Sequence, residues 1–197
     1  MAALSEKIKC KNDVDYFYSK NKKIKDNFSF RAKSDKEKIG KIFKNFKYIL
    51  FKSQNKKFVM KSAMEYILHD CIFNENTNNV IIVRYRNDLL LYSRYLRELF
   101  FNLKETFGVN IKDDYNIQKL QFTNNSSIIL AMLGSNTRGL QIKTIIFDDV
   151  DLNEFCDEGV NILSCPSHIK NKKIILTNKT FDKKYNNILR HYFVFGK

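Results

Sequence analysis

The sequence predicts an α/β fold in which helices flank a mainly parallel central sheet. Short apolar runs alternate with segments of helical spacing, and the clearest runs are residues 48–51, 80–83, 145–147 and 174–176. Strands that are apolar on both faces are typical of a parallel sheet covered on both sides. Pro166 is the only proline in the chain. Regular elements with short connections should therefore dominate.

The length of the chain suits a single domain. Its 197 residues can bury a substantial core, and the apolar share of 44% is typical of a soluble globular protein. We expect this domain at residues 36–197. Residues 1–35 are polar and lysine-rich, and they form an N-terminal lead-in segment without a core of its own.

The charge of the chain indicates a polyanionic partner. The 35 Lys and Arg residues outnumber the 21 Asp and Glu residues, which gives a formal net charge of +14. Nucleic acid is the first candidate for such a partner. The alternative is a genome rich in lysine codons, which would make part of this charge uninformative.

The cysteines favour an intracellular protein with reduced thiols. Cys10, Cys71, Cys156 and Cys165 show no CxxC spacing. The triplet 69–71 (His-Asp-Cys) is a poor metal fragment because neighbouring residues on a helix point in different directions. No apolar stretch reaches membrane-spanning length, and the N-terminus lacks the apolar core of a signal peptide. We therefore expect no membrane contact.

The first half of the domain should contain three helices and two strands. A helix is predicted at residues 36–46, a strand at 48–51 and another strand at 80–83. One face of the helix between these strands carries Val59, Ala63, Tyr66, Ile67 and Cys71. Asp88 can cap the next helix, whose inner side is predicted to carry Leu91, Tyr95, Leu99 and Leu103.

The second half begins with a predicted hairpin. Residues 120–123 and 126–130 are its strands, and Asn124 and Asn125 form the turn. A buried strand then ends at Asp148. Further on, we predict a short helix near residues 153–163, a core strand at 173–177, and a last helix that begins at residue 182.

Polar residues follow four of the predicted strands. Ligands of open parallel sheets bind at the carboxyl ends of the strands, so these segments should converge on one site. The segments are residues 52–57, 84–87, 148–151 and 177–180. A strand with a purely structural role has no need to end on lysines, arginines or paired aspartates.

The acidic pair points to nucleotide hydrolysis. Asp148 suits a magnesium ligand and Asp149 suits a group that polarises water. Lys57 would have to reach the phosphates. The alternatives are an ordinary polar strand end for the two aspartates and a solvated lysine for Lys57.

Several arginines could form the basic surface. Arg84 and Arg86 follow a predicted strand, and Arg138 lies in a flexible loop before the acidic strand. We predict that these three bind nucleic acid, although Arg138 could equally belong to a plain surface turn. Arg94 and Arg97 could simply be the solvated side of their helix.

The order of these parts resembles the ATPase domain of the large terminase subunit, the DNA-packaging motor of tailed bacteriophages. The resemblance covers residues 48–193. It rests on the hairpin segment 120–128 (LQFTNNSSI), the pair 138–139 (RG), the acidic strand 145–149 (IIFDD) and the segment 173–180 (KIILTNKT). It implies a three-layer P-loop NTPase fold of the RecA/helicase type.

The resemblance also implies roles for individual residues. Asp148 would be the Walker B acid that binds Mg²⁺, and Asp149 would take the catalytic position, which is usually glutamate. Lys57 would take the Walker A lysine position. Residues that would sense and couple the γ-phosphate of ATP are Thr177, Asn178 and Thr180.

The phosphate loop departs from the family pattern. Lys56 stands in place of a glycine, and Phe58 stands in place of the magnesium-binding Ser or Thr. Side chains at the loop positions disfavour the backbone that wraps a phosphate, and a phenyl ring cannot bind magnesium. We expect impaired nucleotide binding, although Lys56 and Lys57 could still hold phosphate by charge.

Two functions remain open at this point. The first is the ATPase module of a packaging motor that acts on double-stranded DNA in the host cytoplasm. The resemblance implies a homo-oligomeric ring, a portal protein and a small terminase as partners. The family usually continues into a nuclease domain, for which residues 36–197 leave no room, so we expect either a fragment, a split gene with a separate nuclease subunit, or a stand-alone relative. The second is a non-hydrolysing relative that binds DNA or scaffolds a packaging complex.

Overall fold

A computed structural model describes much of the predicted domain. The described residues are 11–12, 41–43, 45–46, 48–52, 56–101, 109–112, 116–135, 141–149, 173–178 and 193–195. The predicted helices near residues 153–163 and after residue 182 lie outside them, as does nearly all of the lead-in segment 1–35. The first predicted helix is represented by residues 41–43 and 45, which are helical.

The centre of the fold is a seven-stranded sheet with the order β3-β4-β2-β5-β6-β1-β7. All neighbouring strands are parallel except β3 and β4, which form the predicted antiparallel hairpin. The strands are β1 (Tyr48–Lys52), β2 (Asn78–Val83), β3 (Lys119–Gln121), β4 (Ser127–Met132), β5 (Ile142–Asp148), β6 (Lys173–Asn178) and β7 (Phe193–Phe195). The predicted mainly parallel sheet is confirmed, and the short edge strand β7 was not anticipated.

Both faces of the sheet are buried. One row of paired residues runs across the four central strands and consists of Ile49, Ile81, Ile146 and Ile175. None of these side chains is exposed, and all belong to the main hydrophobic core. The next residues along three of the strands, Leu50, Ile82 and Phe147, are also buried. Because successive side chains of a strand point to opposite faces, neither face is open to water.

Two long helices pack side by side on the face that carries the isoleucine row. They are α1 (Lys56–Phe73), which follows β1, and α2 (Arg86–Phe101), which follows β2. The predicted inner face of α1 is confirmed, since Val59, Ala63, Ile67 and Cys71 are buried and Tyr66 packs partly buried against the core. Among the described residues, no helix is long and apolar enough to cross a membrane.

The predicted inner face of α2 is confirmed at Leu99, which is buried, but is wrong at Leu91, and Leu103 lies outside the described residues. Leu91 is 53% exposed, whereas Leu89, Tyr92, Leu96 and Phe100 are buried. Three consecutive leucines, residues 89–91, fit more than one helical stripe, and contact with the sheet decides between the stripes. The helix also begins at Arg86, so Asp88 lies in its first turn and not at the cap.

The hairpin turn holds the C-terminal end of α1. The side-chain amide of Asn124 donates to the carbonyl of Cys71 at 2.7 Å, and the hydroxyl of Ser126 donates to the carbonyl of Asn74 at 2.6 Å. These carbonyls belong to the end of a helix, where backbone acceptors lack intrahelical partners. The turn residue Asn125 has a φ of 64°, which Asn tolerates better than most residues.

A buried polar cluster lies at the amino edge of the sheet and joins α1 to β2 and β5. The carboxylate of Asp70 pairs with Lys143 and accepts hydrogen bonds from the amides of Asn74, at 2.8 Å, and Asn79, at 3.4 Å. The free thiol of Cys71 contacts the same Asn79. Burial raises the pKa of this thiol to about 12, so Cys71 stays neutral at physiological pH.

Removal of the Asp70 carboxylate should destabilise the domain. Asp70→Ala removes an acceptor from the buried amide of Asn79 and from the partly buried Asn74 and Lys143, and we expect the free energy of unfolding to fall by about 1–3 kcal/mol. Glu98→Ala is the control, because Glu98 forms an exposed ion pair with Arg94 and its loss should cost less than about 1 kcal/mol. Urea unfolding measures both, and equal losses would contradict a structural role for the cluster.

Candidate functional site

The predicted strand ends meet at the carboxyl edge of the sheet. The strands β2, β5, β6 and β1 are consecutive neighbours. Asp148 at the end of β5 is paired with Val83 on one side and with Thr177 on the other, and Lys52 is paired with Asn178. The predicted convergence is therefore confirmed for the backbone of these four strands.

Asp148 is buried and its carboxylate is held from two directions. Only 1% of the residue is exposed. The hydroxyl of Thr177 donates to Oδ1 at 2.8 Å, and the hydroxyl of Tyr92 donates to Oδ2 at 2.6 Å. A buried charge is costly unless hydrogen bonds compensate it, and bonds to an ionised acceptor are among the strongest in proteins. This geometry suits an ionised carboxylate in a fixed orientation.

Tyr92 remains a hydrogen-bond donor over the whole physiological pH range. Burial and then the neighbouring charge of Asp148 raise the pKa of its hydroxyl far above the ordinary value of tyrosine. A phenolate beside a carboxylate would place two negative charges in a dry environment, which is strongly unfavourable. The proton therefore stays on Tyr92, directed at Asp148.

Asp149 has an unusual backbone conformation. Its φ is 55°, in the left-handed region that disfavours most residues other than Gly, Asn and Asp. The backbone N–H of Asp149 donates to both the carbonyl and the hydroxyl of Thr177, each at 3.1 Å. Thr177 thus orients the buried Asp148 side chain and the peptide that leads to Asp149. The side chain of Asp149 is partly exposed, as a group that meets a ligand should be.

For the remaining predicted nucleotide-binding residues, the structure gives the position of the backbone at most. Lys56 and Lys57 form the start of α1, beyond the carboxyl end of β1, and Asn178 is the last residue of β6. The structure describes the backbone of these three residues and not their side chains. Thr180 lies outside the described residues, so its predicted role stays a prediction.

The predicted nucleic-acid contacts lie beside the acidic edge. Arg84 and Arg86 follow β2 and are exposed. Between them, Tyr85 is 56% exposed, and the guanidinium of Arg84 lies 5.9 Å from the centre of its ring. This segment presents two positive charges and an aromatic face to solvent. Arg138 lies outside the described residues.

Tyr92 was missed as a site residue by the sequence analysis. It was overlooked because the inner face of α2 was assigned through Leu91 and Tyr95. The sequence feature that could have identified Tyr92 is its helical spacing from Leu96 and Leu99, which are both buried in the core. A polar hydroxyl in the apolar stripe of a helix needs a buried partner, and the end of a neighbouring strand can supply one.

The chemistry of the site fits a magnesium ion on the side of the acidic strand. Magnesium takes oxygen ligands and is usually bound through one or two carboxylates and the phosphates of a substrate. Asp148 supplies such a carboxylate. A carboxylate has about four acceptor positions, so the bonds from Tyr92 and Thr177 do not exhaust its capacity. Among the described residues, no three acidic, histidine or cysteine side chains are grouped so that they could hold a metal ion, so a magnesium ion here would depend on Asp148 together with substrate phosphates and water.

The mainly parallel sheet covered by helices has the α/β fold of P-loop NTPase domains. Solved structures similar to it include large terminases of several phages. The large terminase of bacteriophage HK97 has a TM-score of 0.57 at 14% identity, over 76% of this chain and 33% of that one. The ATPase domain of the Thermus phage P74-26 large terminase has a TM-score of 0.51 at 11% identity, over 72% and 63%.

A large terminase from a thermophilic bacteriophage, solved with ATP-gamma-S, has a TM-score of 0.55 at 10% identity, over 81% of this chain and 43% of that one. The match thus spans between a third and two thirds of these proteins. No protein-family model and no curated protein matches the sequence. The terminase resemblance expected from the sequence is confirmed at the level of the fold.

The backbone of Asp149 predicts which substitutions the site tolerates. Asp149→Asn keeps a short polar side chain that accepts a positive φ, so the free energy of unfolding should change by less than about 0.5 kcal/mol. Asp149→Val should cost about 1–2 kcal/mol because its branched side chain clashes in that region. Thermal unfolding of both variants measures the difference, and equal stability would contradict the left-handed conformation.

Proposed function

We propose that this chain is the ATPase module of a motor that packages viral DNA. The observation that carries the proposal is the buried Asp148 at the end of a central parallel strand, fixed by Thr177 and followed by the partly exposed Asp149. The terminase-like fold supports it. Motors of this class convert nucleotide hydrolysis into movement. Strand β6 contacts both aspartates of the acidic pair through Thr177, so it is suited to respond to a change there.

The roles follow from burial and hydrogen bonding. Asp148 would hold Mg²⁺, which when bound neutralises charge on the phosphates of ATP. Asp149, which is partly exposed, would orient the attacking water and accept its proton. Thr177 contacts Asp148 through its side chain and Asp149 through both its side chain and its carbonyl. A change at the acidic pair would therefore reach β6 directly, with Asn178 and Thr180 following in the chain.

Phosphate binding would rest on charge. Lys56 and Lys57 occupy the first turn of α1, where backbone N–H groups and the helix dipole also favour an anion. Residues 51–58 contain no glycine, so the close wrapping of a phosphate loop is disfavoured. We propose that the chain binds Mg²⁺ and ATP more weakly than a P-loop with the usual glycines.

A non-hydrolysing relative is the second candidate. The glycine-free segment and the Phe58 ring in place of a hydroxyl favour it. Such a protein would keep the fold and the hydroxyl-held carboxylate for stability and would bind DNA or scaffold a packaging complex. The hydrolysis assay below separates the two candidates.

The proposed DNA-binding surface lies next to the acidic edge. Arg84, Arg86 and Arg138 would contact the phosphates of double-stranded DNA, because arginine pairs well with phosphate oxygens. Arg84 and Arg86 follow β2, whose last residue is paired with Asp148 of β5, so DNA bound to these two arginines would lie near the reacting nucleotide. Further partners in the proposal are a homo-oligomeric ring of this chain, a portal protein, a small terminase and a nuclease subunit. Such an assembly would work in the host cytoplasm.

Hydrolysis of ATP tests the main proposal. The wild-type protein with Mg²⁺ should hydrolyse ATP, and DNA should stimulate it. Asp149→Asn should be slower by about 100-fold or more, since a general base contributes on that order. The Asn variant keeps the backbone conformation, so its melting temperature serves as the control for folding. A wild-type protein that neither binds nor hydrolyses ATP would overturn the ATPase proposal and support the non-hydrolysing one.

The salt dependence of DNA binding tests the basic surface. The double variant Arg84→Ala, Arg86→Ala should bind double-stranded DNA more weakly and should reduce the slope of log K against log [salt] by about 2. Arg94→Ala is the matched control, because Arg94 lies exposed on the same helix as Arg86 and is paired with Glu98. Equal binding by the double variant and the control would contradict a role for Arg84 and Arg86.

A further inference from the structure

The two hydrogen bonds to Asp148 come from different layers of the fold. Thr177 belongs to the neighbouring strand β6, whereas Tyr92 belongs to α2, a helix packed on the sheet. Each hydroxyl holds a different carboxylate oxygen. The acid at the strand end is therefore connected to the helix that begins at the exposed arginine segment, as well as to the strand beside it.

These bonds fix a torsion that is otherwise loose. The terminal torsion of aspartate, between a tetrahedral and a planar carbon, has a broad distribution and no sharp preferred value. A carboxylate held through one oxygen can still rotate about that contact. With Oδ1 bonded to Thr177 and Oδ2 bonded to Tyr92, rotation of the plane breaks at least one bond.

We propose that Tyr92 is a positioning residue that fixes the carboxylate plane of Asp148 for metal binding. In this role the hydroxyl would act through its hydrogen bond to the aspartate, not through contact with the metal or the nucleotide. Removal of a group that orients a metal ligand typically costs 10–100-fold in metal affinity or activity. The metal-binding part of this inference rests on the proposed function, whereas the orientation of the carboxylate does not.

The chain offers a closely matched control three residues away. The hydroxyl of Tyr95, on the same helix, donates to Oε1 of Glu65 at 3.3 Å, and Glu65 is a buried carboxylate of α1. Burial and the charge of Glu65 raise the pKa of Tyr95 as well. Tyr92→Phe and Tyr95→Phe thus remove the same atom from the same helix beside a buried acid. Of the two substitutions, only Tyr92→Phe removes a hydrogen bond to Asp148.

The first measurement needs no ligand. Crystal structures of the wild type, Tyr92→Phe and Tyr95→Phe should show the Asp148 carboxylate rotated about its terminal torsion in Tyr92→Phe alone. Thermal unfolding of the two variants checks that both are folded. An unchanged carboxylate in a folded Tyr92→Phe protein would overturn the positioning role, whatever the protein hydrolyses.

The second measurement concerns magnesium. The Mg²⁺ concentration that gives half-maximal binding of ATP-gamma-S, and half-maximal ATP hydrolysis, should rise about tenfold in Tyr92→Phe. The KM for ATP at saturating Mg²⁺ should change less than about twofold, and Tyr95→Phe should match the wild type. If the Tyr92 hydroxyl had only a structural role, the Mg²⁺ dependence and the KM for ATP would change to a similar extent in Tyr92→Phe and Tyr95→Phe.

The outcomes separate the inference from the proposed function. An active wild type with an unshifted Mg²⁺ dependence in Tyr92→Phe overturns the inference and leaves the ATPase proposal standing. A wild-type protein that binds neither Mg²⁺ nor ATP-gamma-S overturns the ATPase proposal, and with it the proposed effect of Tyr92 on metal binding by Asp148. In that case a rotated Asp148 in the Tyr92→Phe crystal structure still supports Tyr92 as the residue that holds the carboxylate.

Discussion

The hydrogen bond from Thr177 to Asp148 is the contact on which the acidic edge depends. It links β5 and β6 at their ends, and the same hydroxyl also accepts the backbone N–H of Asp149. Without it, Asp148 would lose part of the compensation for its burial, and the turn at Asp149 would lose an anchor. The register of the two strands makes the bond available, because Asp148 is paired directly with Thr177.

The layout of the sheet could be predicted from the sequence because its strands are fully buried. Runs such as residues 80–83 and 145–147 have no polar face, and a helix with no polar side is rare in a domain of this size. The convergence of the strand ends followed from parallel pairing alone. The acidic pair was identified for the same reason, since a buried strand that ends in two carboxylates is unusual.

The contacts between layers could not be predicted in this way. The inner face of α2 depends on how it packs against the sheet, and three successive leucines leave several stripes possible. That ambiguity concealed Tyr92, the partner of Asp148. The Asp70 cluster was also missed, because its members come from α1, β2 and β5 and are far apart in sequence. Local pattern contains no information on pairs of this kind until the register of each element is known.

The left-handed backbone at Asp149 restricts how this position can evolve. A φ of 55° favours short side chains that can bond to their own backbone, and aspartate satisfies this where a longer or branched residue would add strain. The accessible sequence space at this position is therefore close to Asp, Asn and Gly. Of these three, only aspartate carries a charge, so drift here would remove the acid from the site while leaving the fold intact.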